Sequence, residues 1–168
     1  MSESHYIDNK VFYEEMVKWK KQLKKAKKEG LPLPPVTEYI GKCFLDIAER
    51  LSYRPNFINY PYREEMVGDG IENCLMYAAN FDPTKSKNPF SYFTQIIYFA
   101  FVRRIQKEKK QNYIKFKSLE MAEASGKIPS WLKNAYHDER KIQDFFNTLS
   151  LSENDLNNFE KTKKTKKK

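Results

Sequence analysis

The sequence predicts an all-α protein: a helical domain with an N-terminal helix and a weakly ordered C-terminal extension. Apolar residues recur at three- and four-residue spacing over long segments, which is typical of amphipathic helices. No segment alternates convincingly between apolar and polar residues as a strand would. The 168 residues include only five glycines, fewer than a turn-rich β protein needs. The length fits one compact domain with appendages.

Four strong helical patterns follow one another along the chain. We expect them at about Asn9–Glu29, from Val36 or Thr37 to Tyr53, at about Arg63–Asn80, and at about Pro89–Gln111. The Pro-rich segment "GLPLPP" ends the first helix, and Asn88, which precedes Pro89, marks the start of the fourth. The resulting domain boundaries are residues 1–35, 36–113 and 114–168.

The C-terminal extension has weaker patterns. Short helices are predicted at about 116–124, 130–149 and 153–160. The final "KTKKTKKK" predicts a disordered basic tail.

The third and fourth helices each have a predicted core face. In the third helix this face comprises Val67, Ile71, Cys74, Leu75, Ala78 and Phe81. In the fourth it comprises Phe90, Phe93, Ile97, Ala100 and Phe101. The opposite face of the fourth helix carries Tyr92, Gln95, Phe99, Arg103 and Gln106. A solvent face normally avoids large aromatic side chains, so this second face is the more informative one.

Charge is sorted along the chain. The formal net charge of the protein is +9, which points to nucleic acid or another anionic surface. Residues 38–83 carry a net charge of −4, whereas residues 84–117 carry +8. An acidic block followed at once by a basic one indicates two different interaction surfaces.

The aromatic and basic face of the fourth helix has the chemistry of a nucleic-acid interface. Tyr92 and Phe99 can stack on unpaired bases, Gln95 can hydrogen-bond base edges, and Arg103 can neutralise phosphates. Nearby cations would extend this surface along a phosphate backbone: Lys85, Lys87, Arg104 and Lys107. Packing against another helix explains the same face equally well.

Other function classes find little support in the sequence. There is no phosphate-binding loop or nucleophile elbow, and His5 and His137 are isolated, so neither an enzyme nor a metal site nor a cofactor is expected. Cys43 and Cys74 fit buried thiols in a reducing compartment. The uncharged run from Asn88 to Val102 is shorter than the roughly 20 apolar residues that span a bilayer. With a polar N-terminus, the protein is expected in the cytoplasm and away from membranes.

Two stretches, "DGIENCLMYAANFD" and "FSYFTQIIYFAFVRRI", resemble region two of the bacterial sigma-70 family. The wider sequence, over about residues 7–113, looks like the late-transcription sigma factors of T-even-like phages. The resemblance implies a sigma region-two-like helical domain that acts in an infected bacterial cell. It implies no cofactor and no catalysis by the chain itself.

The resemblance implies that the helix Glu64–Phe81 docks on the clamp coiled coil of the host core RNA polymerase. The docking residues would be Glu65, Asp69, Glu72, Asn73 and Met76. An acidic helix can pair with basic groups of a partner and speed association by steering. A solvated helix face is the alternative interpretation of Glu65 and Glu72.

The resemblance also implies that the fourth helix recognises and helps open an AT-rich −10-type promoter. By position, Phe93 would capture a flipped base, although periodicity puts Phe93 on the core face and leaves Tyr92 as the rival. Arg104 matches an arginine of the family. Ile96 and Ile97 stand where primary bacterial factors have two tryptophans, and Ala100 replaces a base-reading glutamine.

No helix-turn-helix for the −35 element is visible in residues 114–168. The phage late factors lack it too and depend on a co-activator and the replication sliding clamp, which they reach through a C-terminal peptide. Candidate peptides here are Ile142–Phe146 and Leu151–Phe159, with Leu156 and Phe159 as anchors. An amphipathic helix folding back on the chain is the favoured alternative.

Two further hypotheses remain open. Charge alone would suit a helical DNA-binding protein that acts without polymerase and binds duplex with little sequence preference. The aromatic side chains would also suit an oligomer interface.

Overall fold

The structure, a computed structural model, describes residues 6–127 and 151–165. Within these ranges the chain is helical and contains no β-strand, which confirms the predicted all-α class. The chain divides into two compact units, Met1–Arg104 and Ile105–Lys168. The predicted domain boundary between residues 113 and 114 stays a prediction.

The helices of the first unit follow the predicted order. They are α1 (Asn9–Glu29), α2 (Glu38–Ser52), α3 (Arg63–Tyr77) with a 3-10 turn (Ala78–Asn80), and the first part of α4 (Pro89–Ala124). None of the described helices is both long and apolar enough to cross a bilayer.

Capping residues explain where α1 begins and ends and where α4 begins. The Asp8 carboxylate accepts hydrogen bonds from the backbone N–H groups of Lys10 and Val11, at 2.8 and 3.2 Å. The Asn88 side chain accepts from the N–H of Ser91 at 2.9 Å, one residue before the proline that opens α4. Gly30 ends α1 with a φ of 66°, a left-handed conformation that glycine adopts without a Cβ clash.

Four phenylalanines form the centre of the first unit. Phe93 of α4 lies between Phe44 of α2 and Phe12 of α1, with ring centroids 4.6 and 5.7 Å away. Phe81, which follows the 3-10 turn, lies 5.9 Å from the same ring. All four side chains have no exposed surface. Burial of such rings is the main stabilising contribution of a core this small.

The core face of α3 differs from the predicted one. Cys74, Ala78 and Phe81 are buried as expected. Val67 and Ile71 are half-buried, however, and Leu75 is 48% exposed. The buried row instead begins with Met66 and Gly70.

Gly70 explains this rotation of α3. A Cβ atom at residue 70 would lie 3.0 Å from Cγ2 of Ile97 and 3.1 Å from Cε1 of Phe101. Because the buried row of α3 contains Gly70, α3 approaches α4 more closely than it could if a branched side chain stood at that position.

α4 is longer than predicted. The sequence indicated one helix ending near Gln111 and another beginning near Phe116, but α4 is continuous to Ala124. No glycine or proline interrupts this stretch before Gly126, so the weaker apolar periodicity does not break the backbone hydrogen bonds. Gly126, with a φ of 69°, ends the helix, and the N–H of Lys127 donates to the carbonyl of Ala122 at 3.0 Å.

The second unit contains the end of α4 and helix α5 (Glu153–Thr165). α5 extends past the predicted end at Glu160, to Thr165. The predicted disorder of the basic tail stays a prediction. The N–H of Asp155 donates to the Ser152 hydroxyl, and the Asp155 carboxylate accepts from the Ser152 N–H. This reciprocal cap starts α5. The predicted helix at 130–149 lies outside the described residues.

We predict that Gly70→Ala destabilises the protein. Alanine favours a helix over glycine by up to about 1 kcal/mol. Both neighbours of the new methyl group, Ile97 and Phe101, are fully buried, and overpacking a core costs about 1–3 kcal/mol. The expected net loss in the free energy of unfolding is on the order of 1 kcal/mol, measured by urea denaturation.

Gly68→Ala is the matched control in the same helix. A Cβ atom there meets nothing within 4 Å, so propensity alone acts and stability should rise by roughly 0.5–1 kcal/mol. Equal stability of the two variants would contradict the close approach of α3 and α4.

Candidate nucleic-acid interface

An open groove of about 490 Å³ lies between α3 and α4 in the first unit. Its lining residues are Asn73, Tyr77, Tyr92, Gln95, Ile96, Phe99 and Arg103. Four of the predicted DNA-binding residues thus meet at one site: Tyr92, Gln95, Phe99 and Arg103. The groove joins aromatic, amide and cationic groups in a volume typical of small-ligand sites.

The two aromatic rings of α4 in the groove differ in exposure and packing. Tyr92 is half-buried, with its ring packed edge-on against Phe81 and Phe93 at 5.3 and 5.0 Å. Burial raises the pKa of the Tyr92 phenol, so the hydroxyl stays protonated and can donate a hydrogen bond. Phe99 is 51% exposed and touches Tyr98 edge-on at 5.7 Å. The Tyr92 ring is thus packed against the core, and the Phe99 ring is exposed to solvent.

Phe93 does not line the groove. Its side chain is fully buried in the aromatic centre of the first unit. A base could reach Phe93 only if the ring left the core, which would remove its contacts with Phe12 and Phe44. The helical periodicity, which put Phe93 on the core face, is therefore correct, and base capture by Phe93 stays a prediction that requires such a movement. Tyr92, the neighbouring residue, is half-buried and lines the groove.

Arg103 lies at the rim of the groove on α4, and Asn73 fixes its position. The Arg103 guanidinium donates to Oδ1 of Asn73 at 2.8 Å. The Asn73 amide in turn donates to the carbonyl of Asp69 at 2.7 Å. Arg103 remains exposed, so its other N–H groups can still meet a phosphate.

Arg104 and Asp69 form a bidentate ion pair. Nε of Arg104 donates to Oδ2 of Asp69 at 2.6 Å, and one terminal nitrogen donates to Oδ1 at 2.7 Å. The side chains are only 18% and 28% exposed. Bidentate geometry in a partly buried place makes this one of the stronger ion pairs of the described chain. A predicted DNA contact and a predicted polymerase contact are thus already engaged with each other.

The five predicted polymerase-binding residues divide between two sides of α3. Asp69 and Asn73 face α4 through the bonds above. Glu65, Glu72 and Met76 are exposed on another side, and Met76 is 64% accessible. The outward face of α3 is therefore acidic with an exposed thioether, as a docking surface for a basic partner requires.

The remaining predicted DNA contacts lie outside the groove. Lys85 and Lys87 are exposed in the loop before α4. Within that loop, hydrogen bonds from the hydroxyl and N–H of Thr84 lower the pKa of the Asp82 carboxyl, which lies 4.0 Å from the Lys85 ammonium. Lys107 is exposed on α4 in the second unit.

The predicted clamp-binding anchors pack within the second unit. Phe159 lies 5.2 Å from the ring of Tyr113, and Leu156 is half-buried. Lys109 donates to the Asp155 carboxylate at 2.9 Å beside them. This arrangement matches the alternative of an amphipathic helix folded back on the chain. The other candidate peptide, Ile142–Phe146, lies outside the described residues.

Tyr77 and Ile96 line the groove although the sequence did not single them out. Tyr77 follows Asn73 by four residues on α3, so a helical wheel could have found it once Asn73 was assigned to the α4 side. The resemblance marked Ile96 only as a position where primary bacterial factors have a tryptophan.

The chain matches no protein-family model, and no curated protein matches it significantly.

We predict that Asp69→Asn destabilises the first unit. The substitution removes the charged bidentate partner that holds the partly buried Arg104 guanidinium against α3, which costs on the order of 1–3 kcal/mol. Urea denaturation measures the loss. Glu72→Gln on the exposed side of α3 is the matched control and should change stability by less than about 0.5 kcal/mol. A double-mutant cycle with Arg104→Gln should give a coupling energy well above that of a surface pair; a coupling near zero would contradict the pair.

We predict that the packing of α5 weakens in acid. Partial burial tends to raise the pKa of the Asp155 carboxyl, but hydrogen bonds from Lys109 and Ser152 outweigh it and hold the pKa below its usual value. A lowered folded-state pKa means that the stabilisation is complete above the unfolded value near 3.9 and is lost as pH falls through the folded value. Protection of the Leu156–Phe159 amides from hydrogen exchange, corrected for intrinsic rates, should therefore be constant down to about pH 5 and fall below about pH 4.

Asp155→Asn should reduce that protection at neutral pH and remove its dependence on acid. Glu160→Gln, at a residue whose side chain is 50% exposed, is the control and should preserve the acid dependence. An unchanged pH profile in Asp155→Asn would show that another group is responsible.

Proposed function

We propose that this protein is a transcription initiation factor of the sigma-70 type, which binds a bacterial core RNA polymerase and recognises and helps open an AT-rich −10-type promoter. The observation that carries the proposal is the groove between α3 and α4, where Tyr92, Gln95, Phe99 and Arg103 converge. The resemblance of residues 7–113 to late-transcription sigma factors of T-even-like phages supports the same conclusion.

The groove has the groups that capture of an unpaired base requires. Stacking on an aromatic ring returns about 1–3 kcal/mol per base, comparable to the cost of unstacking that base from a duplex. Tyr92 offers a ring that its packing holds in place, and Phe99 offers an exposed one. Gln95 can accept and donate at a base edge, and Arg103 can hold the adjacent phosphate.

The outward face of α3 suits the polymerase contact. Glu65, Glu72 and Met76 would dock on the clamp coiled coil, with the carboxylates steering association and the thioether buried at the centre. Asp69 and Asn73 would act indirectly, since their bonds to Arg104 and Arg103 hold α3 against α4.

In this proposal the chain makes no covalent chemistry and needs no cofactor, because the polymerase performs the reaction. It would act in the cytoplasm of an infected bacterial cell, with a phage co-activator and the sliding clamp as candidate further partners. A clamp contact through Leu156 and Phe159 would require α5 to release Phe159 from Tyr113.

Reconstitution with core polymerase tests the proposal. Purified protein should co-elute with core enzyme and direct run-off transcripts from a supercoiled template with an AT-rich −10-type element. Failure to bind core enzyme would overturn it. Tight, sequence-tolerant duplex binding by the protein alone, without any effect on polymerase, would instead favour the helical DNA-binding protein suggested by the charge of +9.

We predict that Tyr92→Ala and Phe99→Ala each reduce promoter opening by the reconstituted enzyme. Loss of one stacking contact corresponds to about 5- to 150-fold in the opening equilibrium. Permanganate footprinting of unpaired thymines measures the effect. Affinity for core polymerase should not change, because both rings lie on the groove side of the first unit.

Tyr53→Ala is the matched control for these variants. Tyr53 is 58% exposed and does not line the groove. Its replacement should therefore leave promoter opening unchanged. If Tyr92→Ala and Phe99→Ala opened the promoter as well as Tyr53→Ala does, the groove would not be the base-capture site.

A further inference from the structure

The second half of α1 carries a row of lysines that the groove does not use. Five of them are exposed: Lys21, Lys24, Lys25, Lys27 and Lys28. All but Lys27, which flanks the core side, lie on the side of the helix away from its core residues. The core side is formed by Trp19, Leu23 and Ala26. Within the described part of the chain, none of the five takes part in an ion pair.

This arrangement is unfavourable for the isolated helix. Lys21 faces Lys24 and Lys25 at three- and four-residue spacing, and Lys24 faces Lys27 and Lys28. Such like-charge neighbours repel each other. The helix macrodipole accounts only for Lys27 and Lys28, which lie in the last turn. A solvated helix would normally interleave glutamates at these spacings.

The part of α1 that precedes the lysine row contacts the segment that carries the predicted cations Lys85 and Lys87. The Lys20 ammonium donates to the carbonyl of Ala79, and the Tyr13 hydroxyl donates to the carbonyl of Pro83 at 3.0 Å. These two bonds attach α1 to the segment that leads into α4. The basic surface of the first unit therefore includes both α1 and this loop.

We propose that the exposed lysine face of α1 binds the phosphate backbone of duplex DNA. The row from Lys21 to Lys28 is about 10 Å long, a length that matches roughly three successive phosphates of one strand. Duplex is favoured over single-stranded DNA because this face has no exposed aromatic ring on which an unpaired base could stack. The contact carries no sequence information and fixes the register of the DNA on the protein.

This inference rests on the proposed function only for the identity of the DNA, the promoter duplex flanking the open element. In that setting α1 would hold duplex while the groove holds the separated strand. Polyanion binding also relieves the lysine repulsion, since Glu29 is the one acidic residue at three- or four-residue spacing from these lysines and phosphates supply further negative charge.

The salt dependence of binding tests the proposal. We compare Lys21→Gln/Lys25→Gln with Lys42→Gln/Arg54→Gln, which removes the same charge from exposed sites of the first unit outside α1. Binding of the polymerase complex to duplex promoter DNA is titrated against salt concentration. Each lost phosphate contact lowers the slope of log K against log salt by about 0.9. The α1 variant should therefore lose up to about 1.8 of slope, and the control variant should keep the wild-type slope.

Equal slopes for the two variants would overturn the proposal. So would a lower affinity of the α1 variant for core polymerase with an unchanged DNA slope, which would assign the lysines to an acidic protein surface. The same salt titration is repeated with a single-stranded DNA oligonucleotide. If the α1 variant lost as much slope on single-stranded DNA as on duplex, the proposed preference for duplex would be wrong.

The full-length protein alone, titrated with a duplex of unrelated sequence, separates this proposal from the proposed function. If wild-type protein fails to bind core polymerase, the proposed function fails. The difference in slope between the two variants on that duplex still decides whether α1 binds phosphates.

Discussion

The close approach of α3 to α4 at Gly70 is the constraint on which the candidate site depends. The residue has no side chain, so Ile97 and Phe101 pack directly against the backbone of α3. Asp69, which directly precedes Gly70, and Asn73, about one turn after it, then lie within hydrogen-bonding distance of α4. The Asn73–Arg103 bond and the Asp69–Arg104 ion pair form at this edge, 2.8 and 2.6 Å long. A bulkier residue at position 70 would move both pairs apart and widen the groove.

The buried aromatic residues at the centre of the first unit pack against the groove residue Tyr92. Phe93 contacts the rings of Phe12, Phe44 and Phe81. The Tyr92 ring packs edge-on against Phe81 and Phe93. A ring held on two sides loses little conformational freedom when a ligand stacks on it, so less of the stacking energy is spent on ordering. The aromatic excess of α4 is thus explained in two parts: buried rings form the support, and the half-buried and exposed rings form the site.

The sequence predicted the helices well because their signals are local. α1 ends at a glycine that adopts a positive φ, and α4 begins at a proline that follows a capping asparagine. The side of α3 that enters the core could not be predicted in the same way. Val67, Ile71 and Leu75 are more apolar than the row that contains Gly70, but the closest packing selects the smallest residue, and that choice depends on the partner helix. Likewise the Asp69–Arg104 pair joins residues 35 positions apart, so no local pattern indicates it.

The Asp69–Arg104 pair decides which cations of α4 can serve a phosphate. For Arg104 to bind one, the phosphate must replace a bidentate carboxylate, and Asp69 would be left as a partly buried charge without its partner. Arg103 carries no such cost, because Asn73 is neutral and occupies only part of its guanidinium. Lys85 and Lys87 are exposed in the preceding loop. In the proposed function, phosphates beside the groove would therefore meet Arg103 and the loop lysines rather than Arg104, which holds the two helices together.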